Sequence, residues 1–172
     1  MIISFEQNLD DCITILRSAG QWRTQHNILY SPIWDPKKIS QQSYLEEFHD
    51  YQAYVLYLDG VPTATATLAD PAEVKLSTWK ETLGELYESK KCLYVDDLAV
   101  VAERIGQGVL RTLLEEVDKF ALSRGYRSLR LDVDARLEKL VQCYAKYGFE
   151  EVSRKDVGHR VSVFMEKVID KD

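Results

Sequence analysis

The sequence predicts an α/β (α+β mixed) domain, a mixed sheet with helices on its faces, and three observations predict it. The pair Asp59-Gly60 joins two segments rich in β-branched and aromatic residues, which is the two-residue signal of a hairpin. Downstream of it, stretches with period-two patterning alternate with stretches at helical spacing. A length of 172 residues, 45% apolar and 29% charged, suits one hydrophobic core and excludes an extended disordered chain.

The elements follow in order. Ile2 to Phe5 is short and apolar, as in a first strand, and Asn8 and Asp10 supply helix-start chemistry before Leu9, Ile13, Leu16 and Ala19 recur at helical spacing. That helix is expected to end near Ala19. An irregular stretch from Gly20 to Pro36 carries Trp22, Tyr30 and Trp34, and Asp35-Pro36 is read as the start of a second helix towards Phe48. Ala53 to Leu58 and Val61 to Leu68 form the hairpin, which Asp70-Pro71 ends. Thr78 and Glu81 make a capping-box pattern ahead of Trp79, Leu83 and Leu86, predicting a short helix in a long connection. Cys92 to Val101 reads as a buried strand. Leu110, Leu113, Leu114, Val117 and Ala121 trace one helical face from Gln107 to a stop at Gly125. Leu129, Leu131 and Val133 alternate with Arg130 and Asp132 as in a strand, and Leu137, Leu140, Val141 and Tyr144 return to helical spacing until Gly148. Phe149 to Arg154 and Arg160 to Val168 close the chain as strands. No fixed-period repeat or low-complexity segment interrupts this order.

Twenty-eight acidic against twenty-two basic side chains give a formal charge of −6, which repels phosphate backbones and anionic lipid and argues against a nucleic-acid partner. The same charge suits a cationic acceptor such as an amine, or simply keeps the protein soluble. Cys12, Cys92 and Cys143 are widely spaced, with no Cys-x-x-Cys and no His placed to complete a zinc site, so no metal is expected and the thiols are expected to be reduced in a cytoplasmic protein. His26, His49 and His159 match no triad or metal spacing. No run approaches the ~20 apolar residues that cross a bilayer, and no export signal or membrane partner is expected. The oligomeric state stays open, a homodimer included.

The segment VAERIGQGVLRTLLEEV places Gly106 and Gly108 between a strand and the first turn of a helix. Glycines let the backbone approach a ligand, and the free N–H groups and partial positive charge of a helix start favour an anion, a pyrophosphate among them. A tight turn with no ligand explains two glycines equally well. There is no Gly-x-x-x-x-Gly-Lys-Ser/Thr, and no third glycine at dinucleotide spacing, which counts against nucleoside triphosphates and NAD.

Here the sequence resembles the GCN5-related N-acetyltransferases, the GNAT superfamily. Leu98-Ala99-Val100 is similar to the family's Leu-x-Val strand, Gly106 and Gly108 to its loop glycines, and CYAKYGFEEV to its Tyr-x-x-x-Gly-Phe. The likeness covers about Leu93 to Val168 well and the N-terminal half by element order only. Ile105 stands where the family has Arg or Gln, Leu110 where it has Gly or Ala, and Leu137 where it often has Asn.

The resemblance implies a single domain over residues 1–172 with a mostly antiparallel sheet of six to seven strands and helices on both faces, residues 1–91 forming the acceptor side and 92–168 the acetyl-CoA side. It implies acetyl-CoA as co-substrate, with Leu98, Ala99 and Val100 presenting backbone groups to its pantetheine arm. Ile105, Gly106, Gln107, Gly108, Val109, Leu110 and Arg111 would hold its pyrophosphate. Tyr144 would be the acid that protonates the departing thiolate, although its place in an apolar stripe also suits a core tyrosine. Asp96 would be the base, with Asp97 or water as alternatives, since strand alternation sends the two carboxylates to opposite faces. Trp22, Tyr30 and Trp34 fall where the family builds its acceptor pocket, and a plain hydrophobic lid explains them as well. The expected activity is direct transfer of an acetyl group to a primary amine of a small molecule or peptide, without an acyl-enzyme. The alternatives are a non-catalytic CoA-binding module of the same fold and an α/β nucleotide-binding protein using the two glycines.

Overall fold

The computed structural model describes residues 1–28, 32–73 and 91–170. Among them the order is β1 (Ile3–Gln7), α1 (Leu9–Gln25), α2 (Gln41–Glu47), β2 (Ala53–Leu58), β3 (Val61–Ala69), β4 (Cys92–Val100), α3 (Val109–Ser123), β5 (Ser128–Asp134), α4 (Glu138–Lys146), β6 (Glu150–Asp156) and β7 (Val161–Val168). The seven strands form one mixed sheet in the order β1-β2-β3-β4-β5-β7-β6. The pairs β1/β2, β2/β3, β5/β7 and β6/β7 are antiparallel, and β4/β5 is parallel. This is the α/β class and strand number expected from the sequence. The helix expected from the capping box at Thr78 lies outside the described residues. Among the described residues no helix is long and apolar enough to cross a membrane.

Two compact units make up the chain, one of Met1–Leu68 with Asp97–Glu116, the other of Ala69–Asp96 with Val117–Asp172. In the first, Asn8 caps α1 by accepting from the Asp11 amide at 3.0 Å, as its side chain predicts. The hairpin turn is left-handed at both central positions, with φ of 52° at Asp59 and 78° at Gly60, which is why Asp-Gly occupies it. Cys12, Ile13, Ile15, Leu16 and Ala19 of α1 pack with Ile39, Tyr44, Phe48, Ala53, Val55 and Ala99 in one buried cluster.

Two sequence expectations fail here for stated reasons. The first helix does not stop near Ala19 but runs through Gly20 to Gln25. Gly20 is a packing glycine instead of a stop: a Cβ on it would lie 2.6 Å from the Trp34 carbonyl oxygen and 3.3 Å from Ile39 Cδ1. Nor does the second helix begin at Asp35-Pro36. Asp35 instead closes a turn, its carboxylate accepting from the Lys37 amide at 3.0 Å, and α2 starts at Gln41 behind a reciprocal Ser40/Ser43 capping box. Gly20→Ala is therefore expected to destabilise by about 1–3 kcal/mol, against the usual gain from alanine in a helix interior. Thermal unfolding measures it, and a raised midpoint would contradict the close approach.

In the second unit β5 runs between β4 and β7, paired from Cys92↔Ser128 to Tyr94↔Arg130 on one side and from Ser128↔Val168 to Asp134↔Ser162 on the other. Leu129, Leu131 and Val133 alternate onto one face and are buried. Arg130 on the other face is buried too, 3.4 Å from Glu166 and 3.5 Å from the Tyr94 hydroxyl, so its charge is partnered where it lies.

Candidate active site

The first unit holds a cavity of about 240 Å³ whose walls include Trp34, Lys38, Tyr44, Glu47, Phe48 and Asp97. Asp97 reaches it through an unusual backbone, with φ of 49° inside strand β4. Asp is one of the few side chains that tolerates this left-handed conformation. The inversion breaks the alternation of β4, so the simple rule that sends Asp96 and Asp97 to opposite faces does not carry through this point. Asp96 is not among the residues that line the cavity.

Asp97 Oδ2 accepts from the Thr67 hydroxyl at 3.4 Å, and Thr67 Oγ1 lies 2.8 Å from the hydroxyl of the buried Tyr44. With Thr67 donating to an ionised Asp97, Tyr44 donates to Thr67, so the hydroxyls relay polarity towards the carboxylate. Burial, and then the negative charge of Glu47, push the Asp97 carboxyl up from 3.8 to about 7, with the Thr67 hydrogen bond opposing them. A carboxyl with that value exchanges protons in the neutral range, which is what a general base must do. Partial burial and its neighbour Glu46 raise the Glu47 carboxyl as well.

The same unit carries the glycine loop. After β4 the Val101 amide donates to the Thr63 carbonyl at 2.9 Å and the Ala102 amide to Ser18 Oγ at 3.2 Å, which ties the loop's start to β3 and α1. A 3-10 turn over Ala102–Arg104 leads to Gly106 and Gly108, with φ of 80° and 79°, and then to α3. Open space surrounds both glycines on the side a Cβ would take. Thr112 is, among the described residues, the first of α3 to bond back, to the Gly108 carbonyl at 3.4 Å, so the first turn's amides face outward from the helix end. Glu103 to Gly108 is exposed, whereas Val109 is buried and Leu110 half-buried. Gln107 Nε2 donates to the Glu103 carbonyl at 2.8 Å, and Arg111 is exposed. Ala99 is buried in the cluster with α1 and α2, while Leu98 and Val100 are half-buried.

Of the aromatic residues singled out in the sequence, Trp34 lines the cavity and is stacked by the Arg23 guanidinium at 4.8 Å. Trp22, drawn into the longer α1, stacks on His26 with ring centroids 4.3 Å apart and is not among the lining residues. Tyr30 lies outside the described residues. Tyr44, Glu47 and Thr67 were not foreseen as site residues. Ser40 before Gln41 is the cap that could have revealed the face of α2 bearing Tyr44 and Glu47.

The second unit carries Tyr144, buried on α4 and packed edge-on against Phe149 at 5.8 Å. The turn that follows it is closed by the amides of Tyr147 and Phe149, which both donate to the Tyr144 carbonyl. Leu137 occupies the N-cap of α4 without a side-chain cap. Burial raises the Cys12 thiol to about 12 and shifts the Cys92 thiol upward, so both remain protonated at neutral pH. Among the described residues no group of His, Cys, Asp and Glu is arranged to hold a metal ion.

Solved structures of other proteins share this fold. The PaiA N-acetyltransferase of Thermoplasma acidophilum, solved in complex with coenzyme A, is 19% identical with a TM-score of 0.67 over 98% of this chain and 99% of its own. The ribosomal-protein-S18-alanine N-acetyltransferase of Escherichia coli is 17% identical with a TM-score of 0.61, over 99% of this chain and 96% of its own. An N-acetyltransferase of Staphylococcus aureus is 16% identical with a TM-score of 0.59, over 99% and 100%. A search of curated protein sequences returned no match. At these identities the structures share the fold, while the sequence model of the acetyltransferase (GNAT) family matches residues 21–149. The chain belongs to the acetyltransferase (GNAT) family, and is an acyltransferase by that membership.

Proposed function

We propose that this protein transfers the acetyl group of acetyl-CoA directly to a primary amine of a small molecule, with Asp97 as general base and Tyr144 as general acid. The observation that carries the proposal is Asp97, a carboxyl on a cavity wall whose burial and neighbour bring it to about 7. An amine that enters as ammonium must lose a proton before it attacks, and Asp97 takes that proton. The relay from Tyr44 through Thr67 steadies the carboxylate before the transfer. Asp97 carries the inverted backbone and lines the cavity, whereas Asp96 is not among the lining residues.

Acetyl-CoA, when bound, supplies an activated acyl carbon and a thiolate leaving group. The amides that open α3 suit its pyrophosphate, since a helix's first turn leaves them without helical acceptors and open space lies beside both glycines. Ile105 and Leu110 leave those amides in place, so the departures from the usual residues bear on tightness of binding more than on its occurrence. The phenol of Tyr144 donates its proton to the departing sulfur. Cys12, buried and held as a thiol outside the cavity lining, supports direct attack over an acyl-enzyme.

Thermal unfolding with acetyl-CoA, CoA, ATP and NAD tests the donor, because a ligand of the native state raises the midpoint. Acetyl-CoA and CoA are expected to raise it; a response to ATP or NAD alone would support a nucleotide-binding protein instead. Tyr144→Phe is expected to cut thiol release on an amine panel by about 10²-fold or more while the acetyl-CoA shift persists. Full turnover in that variant would remove the tyrosine from the acid role. Binding without turnover on any amine would favour the CoA-binding module.

A further inference from the structure

We infer that the acceptor carries a second cationic group, separated from its reacting amine by a short apolar spacer, and that Glu47 is the residue that reads it. This inference rests on the reading of the Asp97 cavity as the acceptor site.

Tyr44 and Glu47 lie three residues apart on α2, and so share one face of the helix about a turn from each other. Tyr44 is buried, with its hydroxyl reaching the Thr67 and Asp97 end of the cavity. Glu47, further along the same face, is more accessible to solvent than Tyr44 and lines the same cavity. β4 thus supplies the inner carboxylate, Asp97, and α2 the outer one, Glu47, at the mouth. The rest of the lining is mostly apolar, with Ile13, Leu16, Ile39 and Phe48 beside the small hydroxyls of Ser40 and Ser43. Among the described residues neither Glu47 nor Asp97 has a cation within ion-pair distance.

Two carboxylates in one mostly apolar cavity, with no cation at ion-pair distance among the described residues, match a ligand with a cation at each end. The deep end takes the reacting amine and its proton; the mouth holds the second ammonium, which needs no proton transfer. A cation at the mouth also offsets the charge that Glu47 projects onto Asp97, so binding and deprotonation reinforce each other. The rings of Trp34, Tyr44 and Phe48 add faces that accept a cation. Lys38 lines the cavity as well and is its only ammonium among the described lining residues, so an acidic arm would meet one attraction and two repulsions.

The test measures kcat and KM with acetyl-CoA for putrescine and cadaverine, for the monoamines pentylamine and hexylamine of matching length, and for γ-aminobutyrate. The diamines are expected to show a KM lower by about tenfold or more than the matched monoamines. Glu47→Gln should bring the diamine-to-monoamine ratio towards one, and Glu47→Asp should restore part of it. Because Glu47 also acts on Asp97 for every acceptor, the ratio isolates its reading of the second charge. Equal KM for diamines and monoamines in the native protein, or a ratio untouched by Glu47→Gln, overturns the inference while leaving amine acetylation intact. Preference for γ-aminobutyrate overturns it in favour of Lys38 reading a carboxylate. If no amine is acetylated although acetyl-CoA binds, the proposed function fails and this inference fails with it.

Discussion

Asp97→Asn is expected to lower turnover by about 10²–10⁴-fold while acetyl-CoA still raises the unfolding midpoint. Asn is the substitution of choice because it also tolerates the left-handed backbone that Asp97 adopts at φ of 49°, so loss of activity reports the carboxylate and not a strained strand. In the native protein kcat/KM should rise with pH up to about 7 and then level as Asp97 becomes the anion that accepts the proton. The variant should lose that limb. Stability should move the other way. The Asp97 carboxyl sits at about 7 in the fold against 3.8 for an unperturbed group, so the fold is favoured in full below 3.8 and that favour is lost as pH rises through about 7. Asn carries no charge to desolvate. Its unfolding midpoint should exceed the native one at about pH 8 and converge with it at about pH 4. A variant with native turnover and a native pH profile would show that Asp97 is not the base.

The parts of the fold that were legible in the sequence are those fixed by neighbours in the chain. Asp59-Gly60 determines its hairpin because two consecutive left-handed residues admit few others. The stripe from Leu110 to Ala121 determines α3, since Leu113, Leu114, Val117 and Ala121 all end up buried on one face. Gly20 misled because its role is set by Trp34, fourteen residues away in the chain, whose carbonyl needs the space of the missing Cβ. Ser40 was overlooked because Asp35-Pro36 carries a louder local signal, and that signal served a turn.

The candidate site divides in the same way. The glycine loop announces itself through residue type, and Tyr144 through its motif. The Tyr44, Thr67 and Asp97 relay joins three elements across 23 and 30 residues of chain, and no periodicity relates them. Asp96 and Asp97 look equivalent until the backbone inverts between them and the Leu-Ala-Val run. An Asp-Asp pair late in a buried strand is itself the hint, because a side chain that tolerates positive φ is placed where the strand must turn its face.

Gly108→Ala is expected to weaken acetyl-CoA binding by about tenfold or more with little loss of stability, the reverse of the pattern expected for Gly20→Ala. At Gly20 the added methyl collides with fixed backbone, whereas at Gly108 it meets no atom within 4 Å. The cost at Gly108 is therefore conformational: φ of 79° suits glycine, and an L-residue there pays roughly 1–2 kcal/mol. An exposed loop can shed that strain by relaxing towards negative φ. Doing so rotates the peptide units between Gly108 and Leu110, and with them the amides that open α3. A pyrophosphate held by those amides feels the rotation directly, because charge-assisted hydrogen bonds depend on direction as well as distance. The buried side of the helix, anchored by Val109, Leu113 and Leu114, does not move with it. Acetyl-CoA titration by calorimetry alongside thermal unfolding separates the two effects. Native affinity with a lowered midpoint would assign Gly108 to the turn alone and take the pyrophosphate away from this loop.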